Sequence, residues 1–336
     1  MKTDAIQIKN PATLDSLQLV TLDVPQPGPR DVLMRVRASS LNYHDYLIVT
    51  GGLVSEDGRI PMSDGAGEVV AIGSAVDEFT VGDHVLGTFF TNWQDGTLPD
   101  DGFRLVPGDG CDGFAARHVL MPAHTLTRMP AGYDFLQAAT LPCAGVTAWR
   151  ALMVNGQLQA GETVLVQGTG GVSIFALQLA KAVGAKVIAT SSSDEKLARL
   201  QALGADHVIN YRTTPEWGSV AADLTEKGGV DHVVEVGGVG TLTESIVATR
   251  NGGHIALIGA LAGRHGPVPT ALIMRKQIRL IGLTVGSRAH QLDLIRAVET
   301  TGILPVIDSS FPLQELADAF RYQETGRHFG KICITI

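Results

Sequence analysis

Cysteine is scarce in this chain: Cys111, Cys143 and Cys333 are odd in number and far apart among 336 residues. That excludes a disulfide framework and fits a reducing compartment. Basic clusters are missing too, and the formal charge is -8. The electrostatic footprint that nucleic acid or an anionic membrane requires is therefore absent, and neither partner is expected. No stretch reaches the ~18 uninterrupted apolar residues of a membrane span, and the opening MKTDAIQIKN lacks the apolar core of a signal peptide. A cytoplasmic protein is expected. The ten histidines show no H-x-x-x-H spacing, so no metal site announces itself.

What is present suits a folded α/β protein: 45% apolar residues and 39 glycines. The length exceeds what one core usually organises, which predicts two domains with a small-molecule site between them. The first 125 or so residues read as short strands; in DVLMRVRASSL, Val32, Met34, Val36 and Ala38 alternate with Leu33, Arg35, Arg37 and Ser39. Asn92 to Gly113, polar and rich in Gly, Pro and Asp, reads as an ordered surface loop or lid. After about Pro142 the pattern changes to apolar bursts, TVLVQG, KVIATS, HVIN, VDHVVEVGG, GHIALIG and IRLIGLTV, separated by helical periodicity. Such alternation predicts a parallel sheet covered on both faces. A helix over Gln291–Glu299 and a final strand KICITI close the chain.

Val164 to Val166 are followed by GTGGVS, a G-x-G-x-x-G pattern with Ser173 at its last position. Gly168 suits the tight turn and Gly170 the close approach of a pyrophosphate to the helix start, with Thr169, Gly171 and Val172 completing the cradle. An NAD-specific fold ends its second strand on an acid that holds the ribose hydroxyls. Here Ser191, Ser192 and Ser193 stand there, so hydroxyls and Lys196 can receive the extra phosphate of NADP(H). SSDE reads as a capping box with Ser192 as N-cap and Glu195 folding back.

These residues, with SSLNYHDYL, DGAGEVVAIG, VGDHV, LPCAGVTAW, GADHVINY and GKICITI, resemble the medium-chain dehydrogenases/reductases, in particular the zinc-free branch around NADPH:quinone oxidoreductases. The likeness covers nearly the whole chain. It implies a GroES-like β-rich substrate domain (1–144 and 286–336) and a Rossmann doubly wound parallel-sheet cofactor domain (145–285). It also implies that Lys196 and Tyr211 hold the 2'-phosphate, that Thr147 lies near the nicotinamide and Lys331 near the cofactor phosphates, and that Gly259, closing GHIALIG, belongs to the cofactor side. Lys331 could equally be a surface lysine on an edge strand. A homodimer joined through the strand at Ile278 to Val285 is expected from the same likeness.

Zinc-dependent members hold their catalytic metal through Cys, His and Cys; the corresponding positions here are Asn42, Ser63 and Cys143. One thiolate cannot hold a catalytic zinc, which takes three protein ligands and a water. Cys111 stands alone where a four-cysteine lobe would be. No metal is assigned. Without a Lewis acid, a localised alkoxide is poorly stabilised, whereas hydride added to a quinone or an enone leaves a delocalised oxyanion. His44 falls where zinc-containing relatives keep a Ser or Thr proton relay and close relatives more often carry Arg. An imidazole there suits proton donation, or it serves a structural role at a strand end. Tyr43, Tyr46 and Asn42 are rival donors to the substrate oxygen, and Asp45 is expected in a structural ion pair. The leading expectation is a metal-free NADPH-dependent reductase of quinones or α,β-unsaturated carbonyls. The alternatives are a zinc-independent NADP-dependent alcohol or aldehyde dehydrogenase, and an NADPH-binding sensor or structural protein.

Overall fold

In the computed structural model, which describes all 336 residues, the chain divides into two units, residues 1–146 with 285–336 and residues 147–284. The first unit opens with the hairpin β1 (Lys2–Ile8) and β2 (Leu17–Asp23). Next come β3 (Asp31–Ser40), helix α1 (Tyr43–Val49), β4 (Ala66–Ile72), β5 (His84–Gly87), β6 (His118–Pro122) and β7 (Leu126–Arg128). On β3, Val32, Met34, Val36 and Ala38 are all buried, as their alternation predicts, while Arg35 and Arg37 are half-buried. Leu33, Ser39 and Ser40 are buried as well, because the helix Phe135–Ala139 packs against the strand. That double cover makes β3 an interior strand whose end is dry enough to need internal polar partners.

The second unit is a parallel six-stranded sheet: β8 (Thr163–Gln167), β9 (Lys186–Ser191), β10 (His207–Asn210), β11 (Val230–Glu235), β12 (Thr249–Leu257) and β13 (Arg279–Gly282). Its spatial order, β10-β9-β8-β11-β12-β13, reverses direction between β8 and β11. In open α/β sheets, ligands bind beyond the carboxyl ends of the strands at such a switch point. Continuous rather than alternating burial along Val164–Val166, Val187–Ala189 and Val233–Val234 follows from cover on both faces. Helices α2 (Gly171–Val183), α3 (Asp194–Ala202) and α4 (Val239–Ala248) supply part of that cover. The edge strand β13 is shorter than the burst IRLIGLTV suggests; Val285 turns to φ 47, which ends the extended run.

The chain then returns to the first unit with α5 (Arg288–Thr301), β14 (Ile307–Pro312) and β15 (Lys331–Thr335). Helix α5 starts earlier than its apolar periodicity indicates because Ser287 caps it, accepting from His290 N, in a reciprocal capping box. The main sheet runs β14-β15-β3-β4-β5-β7, with β6 paired to β3. β15 thus lies between β14 and β3 rather than at an edge, which decides the fate of Lys331. The segment 92–113 is only partly a surface loop: Trp93 and Val106 are fully buried and pin it to the core. No helix is long and apolar enough to cross a membrane.

Candidate functional site

β8 hands over directly to Gly168, whose φ of 69 is a left-handed turn that glycine takes without steric cost. Nothing lies within 4 Å of where a Cβ would stand at Gly168 or Gly170. The loop surface is therefore open over both, and half-buried Gly171 and Val172 lie just beyond, with Thr169 buried. α2 begins at Gly171 with no side chain capping it, which leaves its first N–H groups and the positive end of its dipole to an anionic ligand. Ser173 replaces the third glycine at little cost: it is buried and donates to the Gln167 carbonyl at 2.6 Å.

Beneath the loop lies a cluster that the sequence reading missed. Fully buried Glu235, at the end of β11, accepts from Gln167 Nε2 at 2.8 Å, Gly237 N at 2.7 Å, Gly238 N at 3.0 Å and Thr241 Oγ1 at 2.5 Å, and also from Ser245. Gln167 Oε1 in turn accepts from Val236 N at 3.2 Å. A buried carboxylate with no cation is tolerable only with this many donors. Its effect is to lock the ends of β8 and β11 together at the switch point. Gly259 follows β12, where a Cβ would stand 2.2 Å from the Val236 carbonyl oxygen, so a side chain there would force these loops apart. Thr147 is buried in the helix Val146–Trp149.

At the end of β9 the three serines have separate tasks. Buried Ser191 accepts from Ser193 N, and Ser193, not Ser192, is the N-cap of α3, accepting from Lys196 N at 3.3 Å. The helix starts one residue later than SSDE suggests, so Glu195 falls at its second position and no capping box forms. Half-buried Ser192 is thereby released from helix capping. Tyr211 follows β10 directly; its N donates to the Ser191 carbonyl, and its side chain is exposed. Asp194 accepts from Asn210 Nδ2 at 2.6 Å. Ser191 ends β9, Ser192 and Tyr211 follow the ends of β9 and β10, Lys196 lies in the first turn of α3, and the open glycine loop with this hydroxyl-bearing end fits a dinucleotide.

In the first unit, two of the three zinc-ligand positions, Asn42 and Cys143, meet on one carboxylate, and the third, Ser63, directly precedes it in the chain. Asp64, fully buried, accepts from Cys143 N at 3.0 Å through Oδ1, and from Ser40 Oγ at 2.6 Å and Asn42 Nδ2 at 2.8 Å through Oδ2. Asn42 Nδ2 also donates to Ser63 Oγ at 3.2 Å. Lys331 Nζ donates to the Leu41 carbonyl at 2.7 Å and to Asn42 Oδ1 at 2.5 Å, and lies 3.5 Å from Asp64 Oδ2. Burial pushes the Asp64 carboxyl up, while Lys331, Ser40 and Asn42 pull it back. Burial likewise pushes the Cys143 thiol well above its ordinary range, and the Asp64 charge adds to this. An amide, a hydroxyl and a protonated thiol, with the amide oxygen already held by an ammonium, do not fit a catalytic zinc.

Several expectations are corrected here. Lys331 is not a surface lysine on an edge strand: it is 4% exposed, β15 lies between β14 and β3, and its ammonium is satisfied within the first unit. Asn42 cannot donate to a substrate oxygen, since Ser63 and Asp64 take its amide hydrogens. Tyr46 donates its hydroxyl to Glu324 Oε1 at 2.8 Å and is likewise committed. Asp45 forms no ion pair; it accepts from Asn42 N at 3.0 Å and Ser63 N at 2.8 Å, tying the start of α1 to the segment bearing Ser63. Burial raises its carboxyl to about 6, against the pull of His44. His44 sits in the first turn of α1 rather than at a strand end. Tyr43 is 47% exposed and stacks on Tyr46. His44 and Tyr43 are thus the donors left among the four. SDGAGE did place an acid beside Ser63, and that adjacency was the one available signal for Asp64.

Residues 28–131 match the alcohol dehydrogenase GroES-like domain, and residues 171–300 match the zinc-binding dehydrogenase model. A zinc-type alcohol dehydrogenase-like protein of Schizosaccharomyces pombe is 42% identical over 333 residues, covering 96% of each chain. Among solved structures, an NAD-dependent alcohol dehydrogenase superposes with a TM-score of 0.90 at 32% identity, covering 99% of both chains. The 2-octenoyl-CoA carboxylase reductase CinF, in complex with NADP and 2-octenoyl-CoA, gives 0.89 at 25% identity, over 99% of this chain and 87% of its own.

Proposed function

We infer the activity of this chain from the family to which it belongs, the medium-chain dehydrogenases/reductases, and from what occupies the place of that family's metal. It is an oxidoreductase. We propose that it is a zinc-free, NADPH-dependent reductase of quinones or α,β-unsaturated carbonyls. The carrying observation is the Asp64–Lys331–Asn42 network, which puts an amide already bonded to Ser63, Asp64 and Lys331 at the first ligand position and fixes the backbone of Cys143 on a buried carboxylate. With no Lewis acid to stabilise a localised alkoxide, acceptors that delocalise the developing charge are favoured. Bound NADPH would supply the hydride; Gly168 to Val172 would hold its pyrophosphate, and Ser192, Lys196 and Tyr211 its 2'-phosphate. The conjugated acyl thioester and NADP in the CinF structure support this assignment by likeness.

The NAD-dependent alcohol dehydrogenase among the relatives favours a second assignment, reversible alcohol and aldehyde chemistry. One assay separates them: NADPH oxidation with a quinone, an enone and a saturated aldehyde, and NADP-dependent oxidation of alcohols, with and without a chelator. Chelator-insensitive turnover that is fastest with quinone or enone is expected. Chelator-sensitive alcohol oxidation as the best activity would overturn the proposal, and no turnover with any acceptor would leave a binding role. We also propose a homodimer paired along the β13 edge, which light scattering at two concentrations would refute by finding only monomer.

A further inference from the structure

His44 is accompanied by an acid from far along the chain. Asp109 Oδ2 lies 3.4 Å from His44 Nε2, and the two side chains are 18% and 22% exposed. At that length the carboxylate faces the imidazole without hydrogen-bond geometry, and Nε2 is enclosed with no hydrogen-bond partner. The imidazole also packs edge-on against Phe89, with ring centroids 5.4 Å apart. One other acid acts on the ring, Asp45, and it is committed to Asn42 N and Ser63 N.

The segment carrying Asp109 is held in place. Asp109 N and Cys111 N both donate to the Val106 carbonyl, and Gly108 N to the Cys111 carbonyl, which folds the segment into a tight turn. Just after the turn the chain is fastened to residues preceding Ser63: Ile60 N donates to Asp112 Oδ1, Gly113 N to the Ile60 carbonyl, and Phe114 N to the Met62 carbonyl. A Cβ at Gly110 would stand 1.9 Å from the Arg104 carbonyl oxygen, so no larger residue keeps this turn. Met62, buried and non-glycine, is held at φ 82 against its own steric preference. Strain of that kind persists where the surroundings over-determine it, and it collects at functional sites.

We propose that Asp109 is the positioning residue for His44, holding Nε2–H so that Nδ1 is the nitrogen that delivers a proton to the substrate oxygen. This rests on the reductase assignment above. Once the substrate bears an oxyanion, the Nδ1–H bond of the imidazolium breaks, its electron pair stays on the ring, and the O–H bond forms. The ring is left neutral with Nε2–H facing the Asp109 carboxylate, and water restores the Nδ1 proton. The arrangement follows the orienting logic of an acid behind a catalytic histidine.

The test joins a spectroscopic and a kinetic measurement on the full-length protein. Nitrogen-15 NMR of the neutral His44 ring should report the Nε2–H tautomer in wild type and in Asp109→Asn, which keeps an acceptor oxygen, and a tautomer mixture in Asp109→Ala. With a saturated aldehyde, whose oxyanion is localised, Asp109→Ala should lower kcat about tenfold with KM unchanged, and His44→Ala by the ~10²- to 10⁴-fold a general acid contributes. An unchanged tautomer together with unchanged kcat in Asp109→Ala overturns the positioning role, and full aldehyde turnover by His44→Ala overturns the proton-donor role. The tautomer measurement needs no substrate, so it separates failure of this inference from failure of the reductase assignment.

Discussion

Lys331 Nζ donates to Asn42 Oδ1 at 2.5 Å, so the residue at the first metal-ligand position is held by a cation belonging to the chain itself. Asn42 relays the contact to Asp64 and Ser63, and Asp64 extends it to the backbone of Cys143. A lysine and a carboxylate, both essentially out of water, stand within one polar network. Each charge is tolerable because of the other.

Removing one partner should therefore be costly. Lys331→Met leaves Asp64 buried without its cation, and loss of one member of a buried pair typically costs about 3–5 kcal/mol. Adding Asp64→Asn should recover part of that loss. Urea denaturation of the wild type, the single variant and the double variant measures this, and a single variant as stable as wild type would contradict the network's role.

Lys196→Ala should weaken NADPH binding while leaving NADH binding nearly unchanged. One charge-assisted contact is worth about 1.5–3 kcal/mol, hence roughly 10- to 150-fold in affinity. Titration of nucleotide fluorescence reads both constants, and equal losses for the two cofactors would rule out a 2'-phosphate role for Lys196.

Gly170→Val separates folding from binding. Open space surrounds the Cβ position and φ is ordinary at -76, so stability should change by about 1 kcal/mol or less, the scale of an altered N-cap. Dinucleotide affinity should nevertheless fall by more than tenfold, because the methyl groups would enter the cradle over α2. Unaltered cofactor binding in this variant would exclude the loop as the pyrophosphate site.

Acid should destabilise the second unit through His254. Burial, assisted by His232 and Arg279, pushes its imidazole down to about 4, while the unfolded chain takes up that proton near 6.5. His232 Nδ1 lies 3.4 Å away, and its own Nε2 is engaged by Glu162. Between these values the unfolded state binds more protons, so this contribution is complete above about 6.5 and is lost as pH falls toward 4, at up to about 1.4 kcal/mol per pH unit. Melting temperatures of wild type and His254→Gln at pH 7 and 5 should show a smaller acid-induced drop in the variant; an identical drop would place the acid sensitivity elsewhere.

Much of this architecture was legible in the chain itself. Apolar bursts separated by helical periodicity specify a covered parallel sheet, because strands buried on both faces need no alternation, and the bursts lie where β8, β9, β10, β11 and β12 form. The glycines at 168 and 170, and serines where an acid would stand, are local features that geometry and charge interpret without a fold. Boundaries were less legible: Ser192 and Ser193 are equally good caps, and only the path of β9 into α3 selects Ser193. What remained for the tertiary structure to decide were long-range polar pairings. Lys331 meets Asn42 because β15 inserts between β14 and β3, and Asp109 meets His44 because a turn is fastened beside Met62. Neither pairing leaves a periodic trace in sequence, since burying a charge requires only that some partner be near in space, and nothing in the chain order says which.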